Sequence, residues 1–146
     1  MGRVLAIDYG QKRTGFAVSD PLQICATPLE TLPTARVFDF VKEYLDKEDV
    51  DVIVVGEAKQ NDNTPSASAR YIEPFVRRLK NQLKNVEIAR VDERFTSKMA
   101  FQTILDAGLK KKNRQNKALV DKISATIILQ SYLQQKEIDN QRNNVL

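Results

Sequence analysis

Residues 3–19 read Arg-Val-Leu-Ala-Ile-Asp-Tyr-Gly-Gln-Lys-Arg-Thr-Gly-Phe-Ala-Val-Ser. The run from Arg3 to Tyr9 is apolar and rich in β-formers, carries an acid at Asp8 and meets Gly10, the pattern of a strand and its turn. Gly15 to Ser19 reads as a second strand. Only Gly10-Gln-Lys-Arg-Thr separates the two, enough for an antiparallel hairpin but too short for a parallel crossover, which needs about a dozen residues or more.

Outward from this hairpin, a third strand falls within residues 23–31. After Pro33, the positions Val37, Phe40, Val41, Tyr44 and Leu45 recur at three- and four-residue spacing, as on one face of an amphipathic helix. Asp51-Val-Ile-Val-Val-Gly56 is almost continuously apolar, so it reads as a central strand covered on both faces. Lys59 to Pro65 is polar and reads as a loop. Ser66 to Leu83 reads as a helix bent or divided at Pro74, and Val86 to Val91 as a fifth strand. Thr96 or Ser97 caps a helix to Ala107 with Gly108 as its stop, and a final helix runs from about Ala118 to Gln135. With no repeat and no linker, residues 1–138 are expected to form one domain and the polar residues 139–146 a fraying tail. The order of elements specifies an α/β protein with a mixed five-stranded sheet and helices on both faces.

Composition narrows the chemistry. The chain has no histidine, which removes Ser-His-Asp and Cys-His catalysis, His-ligated zinc and the usual base at neutral pH. The single Cys25, between Ile24 and Ala26, cannot form an internal disulfide and reads as a small buried apolar residue. No apolar run of about 18 residues is present, and Asp8 interrupts the start where a secretory signal needs apolar residues, so a cytoplasmic, non-membrane protein is expected. Net charge is +4, a balance compatible with a nucleic-acid partner and with many plain soluble proteins.

Three acids could carry chemistry. Asp8 ends a buried strand beside the turn bracketed by Gly10 and Gly15, where it could hold a metal or only accept hydrogen bonds from turn amides. Asp92 and Glu93 follow the fifth strand. Adjacent strand residues point to opposite faces, so at most one of them meets Asp8, and both could instead serve a helix start. Asp121 lies near the start of the final helix, with the small residues Ala118, Ser124 and Ala125 on its side of the helix, allowing close approach to a sheet. A solvated helix-terminal acid is the competing reading. If the three converge, their carboxylates suit hard divalent cations such as Mg2+ or Mn2+.

Asp8-Tyr-Gly with Lys12, Arg13 and Gly15, then Val54-Val-Gly56, Asp92-Glu-Arg-Phe-Thr96 and Val120-Asp-Lys-Ile-Ser-Ala125 follow one another as in the YqgF family. The chain resembles this family of bacterial pre-16S ribosomal RNA nucleases, also described as Holliday-junction-resolvase-like proteins, over roughly residues 3–135. The resemblance implies an RNase H-like fold and phosphodiester hydrolysis. It maps Asp8, Glu93 and Asp121 onto the catalytic and metal-binding acids, with Asp92 in reserve, and gives Arg94 and Thr96 supporting or substrate-binding roles. Family members commonly carry a proline soon after the glycine of Val-Val-Gly. Here Glu57-Ala58 follows, and Glu57 could be a metal ligand, a group behind the ligands or a solvated loop acid, the last being the preferred reading.

For the substrate, Lys110, Lys111, Lys112, Arg114 and Lys117 form a run without acids that can neutralise phosphates without reading bases, or can simply be solvated. Lys12 and Arg13 are further phosphate contacts, as are Arg77, Arg78 and Lys80 if they share a face. The expected partner is nucleic acid, structured RNA ahead of a DNA junction. A junction-cutting enzyme would act as a homodimer, although no interface signature demands one. Two other classes compete: a nucleic-acid-binding module with little hydrolysis, and an ATPase of the actin or sugar-kinase kind. The latter needs a second such domain, and no Gly-x-x-x-x-Gly-Lys-Ser/Thr loop is present.

Overall fold

In the computed structural model the backbone is described at residues 2–57, 69–92 and 117–144, and the side chains over the same ranges except 117–122 and 143–144. The hairpin forms as the opening stretch predicts: β1 (Arg3–Tyr9) pairs antiparallel with β2 (Arg13–Ser19). Gly10 begins the turn because a Cβ there would run into the carbonyl oxygen of Arg13. β3 (Ala26–Pro33) adds antiparallel to β2, while β4 (Val50–Glu57) and β5 (Glu87–Asp92) add in parallel on the other side, giving the order β3-β2-β1-β4-β5. A 3-10 turn (Thr34–Arg36) leads into α1 (Val37–Lys47). α2 (Ala69–Gln82) retains Pro74 inside it, and α3 spans Lys117–Asn144.

The two-residue period of the strands divides the core into two layers. Leu5, Ile7, Phe16, Val18, Ile53 and Val55 face α1 and α2, where they meet Val41, Ile72, Phe75 and Leu79. Val4, Ala6, Ala17, Val52 and Val54 face the other way and bury Ala125, Ile128 and Leu129 of α3. Small residues dominate this second layer at Ala6, Ala17 and Ala125, so α3 lies close to the sheet. Apolar residues cover β4 on both sides, which accounts for its nearly unbroken hydrophobic sequence.

Three expectations change. α3 continues to Asn144 rather than ending near Gln135, so residues expected to fray are helical through Asn144. Gln135 donates to Asp139 one turn on, at 3.1 Å, an interaction that supports a polar helix without an apolar face. Cys25 is exposed rather than buried, because the loop after β2 is gathered around Asp20, leaving Leu22 and Ile24 exposed as well. Glu57 belongs to β4, half-buried, rather than to a solvated loop. The segments expected to hold the helix at 96–107 and the basic run at 110–116 lie outside the described residues.

Candidate active site

Asp8 sits near the C-terminal end of β1, the middle strand, and is half-buried. It follows Val4 and Ala6 on the face that packs against α3. Its partner across the antiparallel ladder is Gly15. On the other side Ile7 pairs with Val55, so the next position of β4 alongside Asp8 is Gly56. Both glycines are buried. The positions that flank Asp8 on the two neighbouring strands are thus both glycine.

The direction of α3 decides whether Asp121 belongs at this end of the sheet. Lys136 donates to Gln23, whose amide in turn donates to the carbonyl of Gly2 at 2.7 Å, so the C-terminal half of α3 lies at the start of β1. The helix from Lys136 back to Asp121 covers about 22 Å, and the extended chain from Gly2 to Asp8 about 20 Å. The turn of α3 containing Asp121 therefore reaches the end of the sheet that carries Asp8. In the sequence Asp121 stands four residues before Ala125, which packs with Ile128 and Leu129 against the sheet.

The side chains of β5 alternate between the two layers. Ala89 and Val91 pack in the α3 layer, whereas Ile88 packs in the layer of α1 and α2. Arg90 lies on that second side, where its Nη1 donates to both carboxylate oxygens of Glu73 at 2.8 Å. Its Nε and Nη2 donate to the carbonyls of Val55 and Gly56, each at 3.2 Å, fixing the end of β4 next to Asp8. Asp92 follows Arg90 by two residues and falls on the same side, away from Asp8, in register with Glu57. Glu93, Arg94 and Thr96 lie outside the described residues, as do Lys110, Lys111, Lys112 and Arg114, while Lys117 is placed only as the first residue of α3.

Lys12 is exposed at the hairpin turn and Arg13 opens β2, so both cations stand at the Asp8 end of the sheet. The placing of glycines on both sides of Asp8 was not anticipated as a pair. Gly15 and Gly56 are visible in the sequence, but their relation to Asp8 depends on strand register.

A middle strand ending in an acid, an antiparallel hairpin on one side, parallel strands on the other and a helix laid over the acid's face define an RNase H-like α/β protein. Residues 2–135 match the model of the RuvX family, described as Holliday junction resolvase. A protein of Flavobacterium johnsoniae is 57% identical over 136 residues, covering 93% of this chain and 99% of its own length. One of Bacteroides fragilis is 56% identical over 138 residues, covering 94% and 100%. Both bear the name "Putative pre-16S rRNA nuclease". The chain belongs to the RuvX family, the same family as YqgF.

Proposed function

We propose that the chain is a metal-dependent nuclease that hydrolyses phosphodiester bonds in structured RNA, acting in the cytoplasm on the 5′ end of pre-16S ribosomal RNA during ribosome maturation. The observation that carries this reading is the Asp8 carboxylate at the end of the middle strand, between two glycine positions and on the face covered by α3. The names of the relatives support the RNA.

In this reading Asp8, Glu93 and Asp121 hold the divalent ion. A set of carboxylate oxygens with no histidine suits Mg2+ or Mn2+ and disfavours softer metals. When bound, such an ion would supply activation of a water and neutralisation of charge on the leaving oxygen. The chain's own residues hold and orient. β1 fixes the Asp8 carboxylate as an acceptor, and Arg90 secures the neighbouring strand end. Lys12 and Arg13 draw phosphates to the hairpin, joined by Arg94, Thr96, Lys110, Lys111, Lys112, Arg114 and Lys117 as further substrate contacts. The family description favours a second reading, resolution of four-way DNA junctions, and an enzyme of that kind would act as a homodimer that sets two sites symmetrically.

The test is cleavage of a precursor ribosomal RNA fragment and a four-way DNA junction in parallel, with Mn2+, Mg2+ or EDTA, by wild type and Asp8→Asn. Metal-dependent cutting of the RNA, lost in the variant, is the expected result. Cutting of the junction alone selects the second reading. Binding without cutting of either identifies a binding module and overturns the nuclease.

A further inference from the structure

On the sheet face opposite Asp8, the same strand end borders a cleft of about 420 Å³ whose lining includes Tyr9, Lys12, Thr34, Phe38, Phe75 and Arg78. No acid is among the described residues that line it. Tyr9 stacks on Phe75 with ring centroids 4.3 Å apart and planes 17° from parallel. The guanidinium carbon of Arg78 lies 3.8 Å from the centroid of the Phe38 ring. One wall is braced from beneath: the Thr34 N–H donates to the Lys12 carbonyl at 3.0 Å, and the Thr34 hydroxyl donates to the Gly10 carbonyl at 2.6 Å. The backbone that presents Lys12 at the cleft is therefore held before any ligand arrives.

We propose that this cleft binds a single-stranded nucleic-acid segment flanking the bond cut beside Asp8, with Arg78 and Lys12 on its phosphates and a base stacked at the aromatic wall. The inference rests on the nuclease reading above. Asp8 and Tyr9 are consecutive residues of one strand and point to opposite faces, so a strand passing over the end of the hairpin meets both. Arg78 is exposed, and a guanidinium resting on a ring keeps its in-plane donors for phosphate oxygens and its other face for a base. Lys12 supplies a second positive charge. Phe75 and Arg78 are three residues apart on one helix, but only the fold joins them to Lys12 and Phe38.

The test is fluorescence anisotropy of a labelled single-stranded RNA oligonucleotide titrated at several salt concentrations. Wild type is compared with Arg78→Gln, Arg78→Lys, the double variant Lys12→Gln/Arg78→Gln, and Lys84→Gln as a charge control at the opposite end of the sheet. Each lost phosphate contact on a single strand lowers the slope of log affinity against log salt by about 0.7. The double variant should therefore lose about 1.4 of slope and Lys84→Gln none. Arg78→Lys should recover the slope of wild type with weaker affinity, because the charge returns without the planar stack. A purely structural Arg78 would alter the melting temperature and leave the slope unchanged. Wild-type cleavage together with an unchanged slope in the double variant overturns the cleft alone. A wild type that neither binds nor cuts RNA overturns the nuclease reading, and the cleft with it.

Discussion

Asp8 stands directly opposite Gly15 across the β1–β2 ladder. Side chains at such positions lie about 4.5–5.5 Å apart at Cβ and share a face, so any side chain at position 15 would crowd the Asp8 carboxylate. Replacing Gly15 by Ala and then by Val should lower metal-dependent cleavage in that order, by about tenfold or more for Val. Calorimetric titration with Mn2+ checks the cause: metal affinity should fall along the same series. Full activity in Gly15→Val would show that the glycine opposite Asp8 is not needed.

The α3 layer makes a second, independent demand. Ala125 is fully buried among Val4, Ala6 and Ala17, one turn beyond Asp121, while Leu129 is fully buried a turn further along. Ala125→Leu overfills this contact at a cost of about 1–3 kcal/mol and pushes the first turns of α3 off the sheet. Leu129→Ala instead leaves a cavity and costs about 2–5 kcal/mol. Cleavage assayed well below both melting temperatures should fall more in Ala125→Leu, even where denaturant melts show Leu129→Ala to be the less stable protein. The reverse order would detach the start of α3 from the active site.

Much of this architecture could be read from local pattern. The hairpin follows from Gly10 between two short β-rich runs, and the interior position of β4 from its unbroken apolar residues. Strand phase was harder to read. In Glu87-Ile-Ala-Arg-Val-Asp92, Ile88, Ala89 and Val91 are all apolar, so the alternation does not reveal which side faces α3. Only packing assigns Ala89 and Val91 to one layer and Ile88 to the other. The length of α3 was missed for a related reason: beyond Gln135 polar interactions such as Gln135–Asp139 accompany the helix, and an apolar-period rule finds nothing there. Cys25 was misread because apolar neighbours imply burial only where the backbone turns inward, and here Asp20 holds the loop outward.

That loop has its own pH dependence. The Asp20 carboxylate accepts hydrogen bonds from the N–H groups of Cys25 at 2.8 Å, Ile24 at 2.9 Å and Leu22 at 3.2 Å. The bond from Cys25 is the main cause that holds its pKa below the usual aspartate value. A carboxyl depressed in the folded state stabilises the loop above the unfolded pKa of about 3.9, and this support is lost as pH falls through the folded value. Amide exchange at Ile24 and Cys25 should therefore stay slow from neutral pH down to the ordinary aspartate range and lose protection below it. Asp20→Asn should show the faster exchange already at neutral pH. Equal protection in the variant would mean that the charge contributes nothing to the loop.

The pleat of β5 yields the sharpest test of the metal site. Asp92 lies on the α2 side with Arg90, in register with Glu57, whereas Asp8 lies on the α3 side. In the proposed function Glu93 rather than Asp92 holds the metal. Glu93→Gln should therefore reduce metal-dependent cleavage by at least about a hundredfold, since even groups behind the ligands commonly cost 10–100-fold. Asp92→Asn should keep cleavage within about threefold of wild type, because Asp92 lies on the sheet face opposite Asp8. Single-turnover rates at saturating Mn2+ and at limiting Mn2+ distinguish the roles, since a lost ligand should show its larger deficit at limiting metal. If Asp92→Asn is the inactive variant while Glu93→Gln cuts normally, the acids of the site are misassigned and the α2 side, with Glu57, becomes the place to look for the metal.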